Sequence, residues 1–169
     1  MQEIPQVLIV MGSDSDLAVM QEAADMLDRF GVPCEMRISS AHRSPNRTAK
    51  LAAEAAGRGV KIIIAGAGMA AHLAGVVASA TTLPVIGVPM PGGALNGADA
   101  LYATVQMPGG IPVATMAIGK SGAKNAAIFA VQVLALSDAR LAEALLEYRR
   151  ELEQEVALSD ADLQATRHV

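Results

Sequence analysis

The chain has 169 residues, a formal net charge of −4, 52% hydrophobic and 18% charged residues, a composition and length that suit one domain with a sizeable core and are short for two. A mean hydropathy of +0.36 is apolar for a soluble monomer, so part of the surface is expected to meet other subunits. The acidic balance argues against nucleic-acid binding, which needs a concentrated basic face; no run approaches the roughly 18 apolar residues of a membrane span; and the single cysteine allows no intrachain disulfide.

Residues 1–6 contain Glu3 and no basic segment, so they do not read as a signal peptide, and the chain is expected to be cytoplasmic. Residues 6–11 form a continuous apolar run closed by Gly12, which suits a strand buried on both faces of a parallel sheet. Leu17, Met20, Ala24 and Leu27 then recur at helical spacing until Gly31. A second strand is expected over 33–38, where Cys34 reads as a small buried hydrophobe. A polar loop over 39–45 precedes a helix over 46–58, with Pro45 suited to its first turn.

The third strand is expected over 60–65, followed by a loop to Gly75 and a short helix to about Ala80. A fourth follows over 84–89, then a glycine-rich connection, a short helix over 98–105, a turn and a fifth strand over 112–118. The helix over 120–136 is apolar nearly all round and is expected to be buried on more than one side. Asp138 is placed to cap a last helix running to about Val156, with Leu141, Leu145, Leu146 and Leu152 on one face. This helix is expected to pack on neighbouring subunits, with residues 157–169, His168 among them, as a flexible tail of a single catalytic domain. Strands alternating with helices imply an α/β fold with a doubly wound parallel sheet.

In such a sheet ligands bind beyond the carboxyl ends of the strands, where helix amino termini present free N–H groups. Three polar or glycine-rich loops fall at that edge. The first, Gly12 to Asp16, offers hydroxyls, carboxylates and backbone N–H groups, although Ser and Asp there also serve simple helix capping. It matches neither a dinucleotide fingerprint nor a P-loop, so no nicotinamide cofactor or ATP is indicated. The second places His42 beside Arg43, a proton-exchanging imidazole next to a guanidinium able to hold a phosphate at two points. The third carries His72, whose plainer reading is a hydrogen bond to a neighbouring loop. Two histidines without a Cys or carboxylate ligand pattern make no zinc site, and no serine-hydrolase pattern is present.

Six segments in order resemble one family: MGSDSD at 11–16, SAHRSP at 40–45, AGAGMAAHL at 65–73, PVIGVP at 84–89, QMPGGIPV at 106–113, and AIGK at 117–120 with Asn125. They are similar to the small bacterial 5-(carboxyamino)imidazole ribonucleotide mutases, the class I form of phosphoribosylaminoimidazole carboxylase in purine synthesis. The resemblance implies a flavodoxin-like three-layer α/β/α fold, a homo-octamer with sites near subunit junctions, a small ribonucleotide substrate and no metal or organic cofactor. It further implies His42 as the general acid and base, and Gly12, Ser13, Asp16, Ser40, Arg43, Ala67, Gly68 and His72 as substrate-binding. Ser13 and Asp16 would meet the ribonucleotide, Arg43 its phosphate, and the 66–73 loop its carboxylate end. Met69 and Ala74 depart from the family pattern, standing where Gly and Pro are expected, and residues 90–93 differ from its more polar stretch. The competing readings are a carboxylase using free carbon dioxide and a non-enzymatic nucleotide-binding module. The second has no use for a base over the ligand, and a flavin module would want aromatic partners that the candidate loops lack.

Overall fold

The computed structural model describes residues 4–167, so the readings of Glu3 and His168 lie outside the described residues. The chain divides into two compact units between Ala130 and Val131. The first unit holds a five-stranded parallel sheet, β1 (Val7–Met11), β2 (Cys34–Ile38), β3 (Ile62–Ala67), β4 (Val85–Pro89) and β5 (Ala114–Thr115), in the order β2-β1-β3-β4-β5. Between them run α1 (Leu17–Arg29), α2 (Pro45–Ala55), α3 (Leu73–Ser79) and α4 (Ala98–Val105), with α5 (Lys120–Ala135) following β5 and crossing the boundary between the units. The strand order is that of flavodoxin-like sheets.

The apolar runs become strands because both sheet faces are covered. All five residues of β1 are buried, as are all five of β4. Alternate residues serve opposite faces: Leu8, Val10, Ile63 and Ala65 pack with Ala52 and Ala55 of α2 and Leu73 and Val77 of α3. On the other face α1 comes close enough that a Cβ on Gly66 would lie 2.5 Å from Met20 Sδ and 2.8 Å from Met90 Cε, so a larger residue there would have to displace the ends of both methionines. The parallel register pairs Met11 with both Ile38 and Gly66, and the chain therefore leaves β1, β2 and β3 at one level of the sheet edge.

Two elements of this unit differ from their expectations. The fifth strand is two residues long, not seven. Met116 N donates to Gly87 O (2.9 Å) and Gly119 N to Pro89 O (2.9 Å); three residues on one side thus span two on the other, and a regular ladder cannot continue past Thr115. In α5, Ala123, Ala126, Ala127 and Ala130 form one buried stripe while Lys124 and Phe129 are exposed, because alanines recurring at helical spacing leave the opposite face to longer side chains.

The second unit contains α6 (Ala139–Arg167). Asp138 Oδ1 accepts from Arg140 N (2.9 Å) and Leu141 N (3.2 Å), a side-chain cap as expected. The helix does not stop near Val156. Residues 157–167 contain neither Gly nor Pro, and Ser159 Oγ and Thr166 Oγ1 donate back to Glu155 O (2.8 Å) and Asp162 O (3.1 Å) within a continuous helix.

Candidate active site

The first loop is knit by its own side chains. Ser13 caps a 3-10 turn over Asp14–Asp16, with Ser15 N donating to its Oγ (3.4 Å) while its own backbone N–H donates to Asp16 Oδ2 (3.2 Å), a reciprocal capping box. Asp14 Oδ1 accepts from Ser13 Oγ (2.9 Å) and Ser15 N (3.0 Å). The Ser13 hydroxyl, then the Ser15 N–H, hold the Asp14 carboxyl below its ordinary range. Asp16 goes the other way: burial penalises its charged form and outweighs the hydrogen bonds from the loop, so its carboxyl titrates higher than an ordinary aspartate.

The second loop hangs on four hydroxyls. Ser39 Oγ and Thr48 Oγ1 are 2.8 Å apart in the interior, and Ser44 Oγ donates to Ser40 O (2.9 Å) while accepting from Ser40 N (3.1 Å). Ser40 Oγ in turn accepts from Arg43 N (3.1 Å) and lies 3.4 Å from Arg43 Nε. Arg43 Nη2 reaches across to Gly12 O (3.0 Å), tying the second loop to the first. The loop holds its guanidinium through neutral oxygens, which leaves the positive charge available to an anion.

In the third loop Met69 adopts φ 52, the left-handed region that favours glycine. Ala71 N then bonds Met69 O (2.8 Å) and His72 N bonds Ala70 O (2.8 Å), two successive tight turns that deliver His72 to the start of α3. There His72 Nδ1 lies 2.7 Å from His42 Nε2, with the rings edge to face at 88° and their centroids 4.9 Å apart. One of these nitrogens carries the proton and the other accepts it, so each ring sets the other's tautomer. A proton can pass between the imidazoles while the outer nitrogen of each stays open to a ligand.

The three loops enclose a cleft of about 480 Å³. Gly12, Ser13 and Asp16 line it from the first loop, Ser40, His42 and Arg43 from the second, and Ala67, Gly68 and His72 from the third. Every residue expected at the site thus faces one cavity at the sheet's carboxyl edge. Ser15, Met69 and Ala70, which fall in the first and third loops, share this wall, and the neighbouring-loop partner of His72, which the sequence leaves unnamed, is His42. The signal available is topological: in this strand order β2 and β3 both flank β1, so their loops meet above Gly12. Among the described residues no group of three or more His, Cys, Asp or Glu is placed to hold a metal ion.

A family model described as AIR carboxylase matches residues 6–155. The chain belongs to the AIR carboxylase family. It is 54% identical over 154 residues to N5-carboxyaminoimidazole ribonucleotide mutase of Pyrococcus horikoshii, covering 91% of this chain and 86% of that protein. It is 52% identical over 158 residues to the mutase of Bacillus subtilis, covering 94% and 97%. Among solved structures it resembles PurE of Treponema denticola, with a TM-score of 0.85 and 31% identity over 94% of this chain and 98% of that one. Two of the three departures from the AIR carboxylase pattern noted above have a physical explanation. Met69 occupies a left-handed position where glycine carries no steric penalty, and Ala74 is the second residue of α3, in the first helical turn, where proline is tolerated.

Proposed function

We propose that this protein is an N5-carboxyaminoimidazole ribonucleotide mutase, moving a carboxylate from the exocyclic nitrogen of the ribonucleotide to carbon 4 of the imidazole ring. The observation that carries this reading is the His42–His72 pair in one cleft with the Arg43 guanidinium, a proton-exchanging group beside an anion-binding one. A module that only bound nucleotide would need the second and not the first. The mutase names borne by relatives more than half identical support the same reading.

In the proposed reaction the carbon–nitrogen bond of the carbamate breaks, carbon dioxide is released, and the nitrogen takes a proton from His42. The amine lone pair then pushes through the ring, carbon 4 attacks carbon dioxide, and the hydrogen on carbon 4 returns as a proton to His42. The proton count of the imidazole pair is unchanged over the cycle. The nucleophile is built into the substrate, so the chemistry asks for no electron sink, metal or organic cofactor. In this scheme Ser13 and Asp16 hold the ribose, Arg43 with Ser40 and Gly12 holds the phosphate, and Ala67, Gly68 and His72 border the migrating carboxylate.

The enzyme is proposed to act as a homo-octamer in the cytoplasm, where a charged ribonucleotide is retained. Exposed apolar side chains support self-association: Leu95 is 61% and Tyr102 66% exposed. In α6 only Leu141 is buried while Leu146, Val156, Leu158 and Leu163 are exposed, which supports contacts from this helix to neighbouring subunits in a single-domain protomer.

The test is turnover of the carboxyamino ribonucleotide in labelled bicarbonate, with label followed in the product at early times. A mutase transfers mostly unlabelled carboxylate without dependence on bicarbonate. Full early label together with a bicarbonate requirement would instead identify a carboxylase acting on aminoimidazole ribonucleotide and free carbon dioxide.

A further inference from the structure

Beside the cleft described above lies a second one of about 450 Å³. The two share the wall formed by Gly12, Ser13, Ser40 and Arg43, and the second is lined in addition by Ser44 and Arg47. Arg47 is exposed and, among the described residues, makes no hydrogen bond or ion pair. Arg43 Nη2 and Nε meet neutral oxygens, Gly12 O and Ser40 Oγ, and its Nη1 makes no hydrogen bond among the described residues. The one carboxylate on this wall, Asp14, is bonded to Ser13 and Ser15 in its own turn. Two arginines four positions apart thus line one groove with no carboxylate bonded to either, in a chain whose net charge is −4. Such a pair repels itself when empty, and a dianion with three acceptor oxygens relieves the repulsion while taking a forked contact from each side.

The mutase reading puts the heterocycle at the His42–His72 end of the first cleft. The ribose then runs along the shared wall, and the far end of the nucleotide passes Arg43 into the second groove. We propose that Arg47 is the outer clamp on the substrate's 5′-phosphate, which sits in the second cleft between the Arg43 and Arg47 guanidiniums; this rests on the mutase reading. Arg47 is then a binding residue and takes no part in proton transfer, so its effect falls on substrate capture.

Steady-state kinetics of the full-length Arg47→Gln and Arg47→Lys proteins test this, with inorganic phosphate as a competing probe. Loss of a charged hydrogen bond at an exposed site is expected to raise KM for the carboxyamino ribonucleotide roughly 10-fold with kcat unchanged. The inhibition constant for inorganic phosphate should rise by a similar factor, and Arg47→Lys should recover most of both. The corresponding nucleoside, lacking phosphate, should show the same kcat/KM with wild-type protein and Arg47→Gln. Wild-type values of KM and phosphate inhibition in Arg47→Gln overturn the clamp. If the wild-type protein leaves the carboxyamino ribonucleotide unconverted while phosphate still binds in an Arg47-dependent way, the mutase reading fails and the anion site stands.

Discussion

His42 Nε2 and His72 Nδ1 lie 2.7 Å apart although the residues are separated by 30 positions. The bond exists because the loops after β2 and β3 converge over the end of β1, and because the left-handed residue Met69 and the two tight turns that follow it set His72 at the start of α3. It constrains protonation: a neutral ring can accept from its partner, whereas two imidazolium rings both donate and repel.

His42→Asn should bind the ribonucleotide near normally and turn it over about 100 to 10,000-fold more slowly, the range for losing a positioned acid–base group. Single-turnover assays beside equilibrium binding separate the two effects. Near-normal turnover would remove His42 from the proton transfers.

His72→Phe keeps a ring but loses the nitrogen that fixes the His42 tautomer. A drop in kcat of roughly 10-fold is expected, the size of one positioning hydrogen bond, with a displaced pH–rate profile. A profile superimposable on wild type would show that the bond positions nothing in catalysis.

Met69→Gly removes a side chain from a left-handed backbone position. Relief of about 1–2 kcal/mol of steric strain is opposed by the greater freedom of glycine in the unfolded chain, about 0.4–1 kcal/mol. The variant should therefore be more stable by about 0.5–1 kcal/mol, read as a raised thermal midpoint at fixed protein concentration. A lowered midpoint would mean that the packing of Met69 Cγ beside Gly93 outweighs the strain.

Glu35 carries a pH-dependent share of stability. Burial pushes its carboxyl upward, but the hydrogen bonds from Arg58 (2.6 Å) and Arg37 outweigh that and leave it below the ordinary glutamate range. A depressed folded-state value stabilises the fold above the unfolded pKa, and the contribution is lost as pH falls below about 4.3 and through the folded value. Glu35→Gln should lower stability by roughly 1 kcal/mol at neutral pH, a modest figure because both arginines are partly exposed. Thermal melts of the two proteins should converge toward pH 3; a gap that stays constant with pH would assign the loss to packing instead of charge.

Much of this molecule is legible before folding because the relevant rules are local. The apolar runs of β1, β3 and β4 carry no alternation, which only burial on both faces explains. A polar loop after a parallel strand lies at the ligand-binding edge, so the loops after β1, β2 and β3 can be placed at one edge from strand and loop alone, while the roles of the individual residues from Gly12 to His72 come from the family resemblance. Helix α6 runs past its expected end for a related reason: polar composition does not stop a helix, whereas Gly or Pro does, and residues 157–167 have neither. What only the tertiary structure decided depends on partners distant in the chain. The two-residue length of β5 follows from its offset against β4, the left-handed turn at Met69 from where β3 must hand over to α3, and the neighbour of His42 from the order of the strands. Residue types state which groups can exchange a proton; hydrogen bonds between strands far apart in sequence decide which of them touch.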